Sequence, residues 1–154
     1  MATAKKPIPE GFHSVTPSLV VRDAAKAIDF YKKAFGATEI MRFPGPNNTI
    51  MHAEIKIGDS PIMLADEQQS HRGPQAFGGS PVSLMLYVDN VDKIFKQAVD
   101  HGAKSVRDVA DQFYGDRVGT LTDPFGHTWS IGTHVEDVSM EEMQKRMAAL
   151  PKSA

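Results

Sequence analysis

Apolar positions along this chain repeat with two periods, every second residue or every third to fourth, and blocks of the two kinds alternate. His13 to Val21 alternates and ends in a β-branched pair, which predicts a strand. Asp23 is placed to cap a helix from Ala24 to about Phe35, with Ala24, Ala27, Ile28, Tyr31 and Phe35 along one apolar stripe. Gly36 suits its end. Strands are predicted at Thr38 to Phe43, Ile50 to Ile57 and Ile62 to Ala65. They are parted by Pro44-Gly45-Pro46-Asn47-Asn48 and by Gly58-Asp59-Ser60-Pro61.

The same order then starts again. Val82 to Val88 reads as a strand, Asn90 as an N-cap, and Val91 to about His101 as a helix with Val91, Ile94, Phe95, Ala98 and Val99 apolar. Strands are predicted at about Ser105 to Gln112, Val118 to Thr122 and Thr128 to His134, with Tyr114-Gly115-Asp116-Arg117 as a sharp turn between the first two. Val21 and Val88 stand 67 residues apart, Gly36 and Gly102 66, and Gly58 and Gly126 68. So constant an offset predicts a duplicated βαβββ module. The class is α+β: two tandem modules over 12–66 and 81–137 within one domain. A Gly- and Pro-rich linker over 67–80 joins them. A loose arm is expected over 1–11 and a C-terminal helix over 139–150, opened by the capping-box pattern Ser139-Met140-Glu141-Glu142. Met140, Met143, Met147 and Leu150 give that helix an apolar stripe, which either packs on its own domain or meets another subunit.

Composition narrows the functional classes. Apolar content of 41% and charged content of 23% are ordinary for a globular domain, and a net charge of −2 carries no basic footprint for nucleic acid. No run is long and apolar enough to predict a membrane span, and no signal sequence is evident, so a cytoplasmic location is expected. With no cysteine, His, Asp and Glu are the strong metal ligands left. Gly-rich phosphate loops, a nucleophile elbow and the His-Glu-x-x-His motif are absent from the sequence.

Two βαβββ modules, a Val-Arg-Asp helix entry followed by Asp29-Phe30-Tyr31, the stop Phe35-Gly36-Ala37 and the closing Asp123-Pro124-Phe125-Gly126-His127-Thr128-Trp129 together resemble the vicinal oxygen chelate superfamily. This is the group of glyoxalase I, bleomycin-resistance proteins, fosfomycin-resistance enzymes and extradiol dioxygenases. His52-Ala53-Glu54, the segment Gln112 to Arg117 and the segment Thr133 to Asp137 are similar to its PhnB-like branch. The resemblance implies that the two modules form a curled mixed sheet shaped as a half-open cup, and it implies homodimers and a divalent metal held by residues of the first and last strand of each module. Carried over, those positions fall on Thr16, Ile62, Ser83 and Ser130, none of them a good ligand for a divalent ion. No metal is therefore expected at the usual site.

Other residues are candidates for what the cup does hold. His52 and Glu54 share one face of a strand, as a ligand-facing pair, a relocated metal pair with His134 or His13, an acid–base dyad, or a solvated polar face. Tyr114 could stack on a planar ligand and Arg117 bind an anionic group, or Asp116 and Arg117 could merely staple their turn. Ser83, Met85 and Tyr87 share a face and give a mixed wall, while Trp129 points away from Ser130 and belongs to the core. His134 shares Ser130's face but lies about 13 Å along the strand. The expectation is a protein that binds a small organic molecule, in the manner of bleomycin-resistance proteins, through Ser83, Met85, Tyr87, Tyr114, Arg117 and Ser130. The alternatives are a metal-dependent lyase, isomerase or dioxygenase with relocated ligands, and a metal-free acid–base enzyme.

Overall fold

The computed structural model describes residues 6–151; residues 1–5 of the expected arm lie outside the described residues. The elements run β1 (Ser18–Val21), α1 (Ala24–Phe35), β2 (Thr38–Pro44), β3 (Ile50–Ile57) and β4 (Ser60–Asp66). They continue with β5 (Ser83–Tyr87), α2 (Val91–Asp100), β6 (Lys104–Asp111), β7 (Asp116–Thr122), β8 (Thr128–His134) and α3 (Met140–Ala148). The fold is α+β, with the βαβββ order twice and a C-terminal helix. Each module makes its own four-stranded mixed sheet, in the orders β1-β4-β3-β2 and β5-β8-β7-β6. In both, the first strand pairs parallel with the last and the remaining pairs are antiparallel. Two compact units result: one ends at Ser80 and also takes in Pro124–Gly126, and the other runs from Pro81 to Asp123 and resumes at His127.

The duplication reaches into the way the helices start. Asp23, at φ 68, caps α1 by accepting from the Lys26 N–H, and Asn90 caps α2 by accepting from Lys93. The last residue of β4, Asp66, adds a second hold: one carboxylate oxygen accepts from Ala24 N at 2.8 Å and the other from Ile50 N at 2.7 Å. In the second unit Thr133 does the equivalent, its Oγ1 accepting from Val91 N at 2.9 Å while its hydroxyl donates to the Val88 carbonyl. Asp66 and Thr133 keep the offset of the repeat, as do Ala24 and Val91, so two different side chains satisfy the same orphan N–H.

The apolar stripe of α1 is buried as its spacing predicts, and Phe30 and Ala34 widen it. Phe125 completes an aromatic cluster in this unit, with ring centroids 6.2 Å from Phe30 and 6.4 Å from Tyr31. Under α2, Phe95 lies so close to Gly119 that an added Cβ would come within 2.7 Å of its ring. Trp129 is 2% exposed, and its indole N–H donates to Asp123 at 2.9 Å, while the other carboxylate oxygen accepts from His127 N at 3.0 Å. Asp123→Asn can turn its oxygen to only one of these donors; we expect a loss of about 1–2 kcal/mol in urea denaturation, with no loss counting against the arrangement.

Several boundaries differ from the sequence expectation, each for a local reason. The first strand begins at Ser18 rather than His13, because Pro17 has no N–H to continue the ladder, although its carbonyl still accepts from Met63. The strand expected from Val118 begins at Asp116, since Gly115 at φ 98 makes the turn in fewer residues. The segment read as a flexible linker is partly ordered: Pro74–Phe77 forms a 3₁₀ turn, and Glu67 accepts from Gly73 N at 2.8 Å and from Arg22 at 2.9 Å. Ser139 caps α3, but Glu142 does not reach back as a capping box; it pairs forward with Arg146, which also grips Glu136 through two 2.8 Å bonds. No residue of α3 is fully buried: Met140, Met147 and Leu150 of the apolar stripe are exposed and Met143 is half-buried. Among the described residues, no helix is long and apolar enough to cross a membrane.

Candidate functional site

In the C-terminal unit, alternation along the strands separates two faces of one sheet. Leu121, Trp129 and Ile131 are buried on the α2 side. The other face carries Ser83, Met85 and Tyr87 from β5, Ser130, Gly132 and His134 from β8, and Asp116 and Thr120 from β7. The ladder puts Met85 level with Ser130 and Thr120, Tyr87 with Gly132, and Asp116 with His134. Met85 and Tyr87 stay 43% and 61% exposed on it. Gly132 makes the floor, where a Cβ would come within 2.5 Å of the Met85 methyl. Ser130 Oγ and Thr120 Oγ1 bond to each other at 3.2 Å.

At one end of this face three side chains join. Asp116, only 5% exposed, accepts from the Tyr87 hydroxyl at 2.8 Å on one oxygen and from His134 Nδ1 at 2.6 Å on the other. The far nitrogen of His134 meets the exposed Asp137 at 2.9 Å. Asp116, and then Asp137, raise the His134 pKa above its ordinary value by favouring the imidazolium. The same Asp116 bond, then burial, then the Asp116 and Tyr114 charges raise that of Tyr87, so its phenol stays neutral. Beside them is an open depression of about 490 Å³ lined by Tyr87, Val88, Asp89, Thr133 and His134.

Neither reading of Asp116 with Arg117 holds. They fall on opposite faces of β7, and Arg117 lies on the α2 side, forked onto Asp92 at 2.8 Å twice and onto Asp111 at 3.1 Å. Its guanidinium is therefore engaged away from Met85 and Tyr87, and the anionic preference drawn from it loses its ground. Tyr114 is half-buried in the turn, edge-on to Phe113 at 5.3 Å. Taking Asp116 as a turn residue hid its place as the first residue of β7, where the antiparallel register sets it level with His134.

In the N-terminal unit, Ala53, Ile55 and Ile57 of β3 are buried and His52 and Glu54 share the opposite face, with His52 Nε2 3.1 Å from Glu54 Oε1. Thr16 precedes β1 and its hydroxyl reaches the His13 carbonyl at 3.5 Å. Ile62 needs correction as a site position. It is buried level with Ile55, on the core side, and corresponds by the repeat offset to Trp129; the counterpart of Ser130 is Met63, level with Ser18 and Glu54.

Comparison with known proteins agrees with this architecture. Residues 11–131 match the family model described as the glyoxalase/bleomycin resistance protein/dioxygenase superfamily. The chain belongs to this superfamily. An uncharacterized protein of Mycobacterium bovis, Mb0911c, is 44% identical over 141 residues, covering 88% of this chain and 93% of the relative. The solved structure of the Arabidopsis thaliana At5g48480 gene product is similar at 28% identity and a TM-score of 0.65, over 81% of this chain and 99% of that one. A PhnB protein of Bacillus cereus shares the fold at 17% identity and a TM-score of 0.61, over 79% and 99% of the two chains.

Metal chemistry in this superfamily needs strong oxygen or nitrogen donors, and the donors here do not fit. Thr16, Ser83 and Ser130 offer neutral hydroxyls, the latter bonded to Thr120, and Met63, like Ile62, supplies no hard donor. Among the described residues, no three His, Asp or Glu side chains come together as a metal site. His52 and Glu54 make two donors and face each other.

Proposed function

We propose that this superfamily member binds a small organic molecule on the open face of its C-terminal sheet and does not depend on a metal at the superfamily's usual positions. The observation that carries the reading is the exposure of Met85 and Tyr87 beside the Ser130 and Thr120 hydroxyls, over a glycine floor. A polarizable thioether and a neutral phenol suit an organic ligand, and Tyr87 also lines the adjoining depression of about 490 Å³ with Val88, Asp89, Thr133 and His134, which is within the size range of small-molecule sites. Sequestration fits such a surface, because it needs affinity without a reacting group. We place the chain in the PhnB-like branch and in the cytoplasm, acting as a homodimer whose contact includes the exposed Met140 and Met147 of α3. Light scattering should then give twice the chain mass, and a monomer at micromolar concentration would refute the dimer.

The binding test is native mass spectrometry after incubation with a cell extract. A retained, chemically unchanged small molecule is expected, with at least tenfold less retention by the Met85→Ala/Tyr87→Ala double variant. The second reading, an enzyme with relocated ligands, draws on the 3.1 Å His52 to Glu54 contact. Near-stoichiometric divalent metal in protein purified without chelator, lost in His52→Ala, would favour it over binding alone.

A further inference from the structure

We infer that His134 is the polar anchor of this ligand site, and that it takes the carbonyl oxygen of a neutral, planar organic molecule in the place on Nε2 that Asp137 fills. The inference rests on the binding reading above and adds the ligand's chemical class.

The geometry comes first. Asp116 is buried and uses both oxygens, one for Tyr87 and one for His134 Nδ1, so it fixes the ring's orientation and commits the Tyr87 proton. Nε2 is thereby aimed at Asp137, a fully exposed side chain in a segment without helix or strand. A contact of that kind between exposed groups is weak and easily exchanged. The contact to Asp116 is neither, since breaking it would strand a buried carboxylate. The ring therefore has a permanent partner on one nitrogen and a replaceable one on the other, and His134 lines the depression together with Tyr87 and Asp89.

Charge then selects the ligand. The groups around His134 are Asp116 from β7 and Asp137 from the segment after β8, which bond it, Tyr87 from β5, which shares Asp116 with it, and Asp89, which lines the same depression. The imidazolium is the one cation among them; two carboxylates bond it and a third lines the same depression. A ligand carboxylate would meet Asp89 and an Asp137 only partly displaced, whereas a ketone or amide oxygen accepts the same Nε2–H without adding charge. The rest of the molecule can lie on the Tyr87 ring and the Met85 thioether, and the Tyr87 oxygen can still accept from a donor on the ligand, its own proton being given to Asp116.

The test uses acetophenone, its oxygen-free analogue ethylbenzene, and benzoate, titrated at pH 6 into the full chain and followed by the Met85 methyl, Tyr87 ring and His134 imidazole NMR signals. Acetophenone should bind at least fivefold more tightly than ethylbenzene or benzoate and move the His134 Nε2 resonance. Its affinity should fall as pH rises through the His134 pKa. Asp137→Ala, which removes the built-in competitor, should tighten acetophenone at least threefold, and His134→Gln should weaken it at least fivefold. A purely structural Asp137 would leave affinity unchanged, and that result overturns the inference even if His134→Gln fails to fold. Equal binding of acetophenone and ethylbenzene, or tightest binding of benzoate, also overturns it while leaving the binding face intact. Failure of all three probes to move Met85 and Tyr87 would sink the binding reading along with it.

Discussion

Gly115→Ala is expected to lower the stability of the chain by about 4 kcal/mol, adding a strained φ and a backbone clash that each cost about 1–3. Gly115 has φ 98, and a Cβ there would run into the Glu136 carbonyl oxygen and come within 2.9 Å of Val138. The obstacle is main chain, which cannot turn aside as a side-chain end can. It is also tied in place, since the Gly115 carbonyl accepts from Val135 N at 2.9 Å and Glu136 N at 3.0 Å, and the Gly115 N–H donates to Gln112. Gly78 is the control: φ is 78 but nothing lies within 4 Å of its would-be Cβ. Gly78→Ala should therefore lose only about 1 kcal/mol. Urea denaturation of both variants decides the matter, and equal losses would mean that the close approach at Gly115 contributes nothing. A loss at Gly115 should also disturb the site, because the turn sets where β7 begins and thus where Asp116 stands.

That dependence explains what could be read from the sequence and what could not. The modules were legible because their signals are local: the α1 stripe from Ala24 to Phe35, the cap at Asp23 and the stop at Gly36 each follow from spacing and backbone preference. The duplicated helix hold was not, because Asp66 and Thr133 are unlike in chemistry and act across 42 residues in each module. On the face of β5, Ser83, Met85 and Tyr87 were found by alternation alone. Arg117 was misplaced because its partners, Asp92 on α2 and Asp111 on β6, depend on tertiary packing. His134 is read from the sequence as lying about 13 Å from Ser130 and as a partner for a relocated pair with His52 and Glu54, not as a partner of Asp116. Its importance comes from Asp116 and Tyr87, which approach from two other strands.

Asp116→Ala should show how far this cluster acts as a unit. Removal strips the Tyr87 hydroxyl and the His134 ring of their shared acceptor in one step, and we expect a stability loss of about 3 kcal/mol at pH 6. Asp116→Asn, of nearly the same shape, should lose less, since its single carbonyl oxygen can still serve one of the two donors. The pH dependence separates an ionic role from a merely steric one. Asp116 raises the His134 pKa above its ordinary 6.5, so folding takes up protons at this ring. A group of that kind contributes stability that is full below its unfolded pKa and is lost as pH rises through the folded one. The gap between wild type and Asp116→Asn should therefore be largest near pH 5.5 and shrink by pH 9. In the same variant the imidazole pKa, followed by NMR, should move down toward the ordinary value, with Asp137 alone holding it up. A gap that stays constant over that range would reduce Asp116 to a neutral hydrogen-bond acceptor.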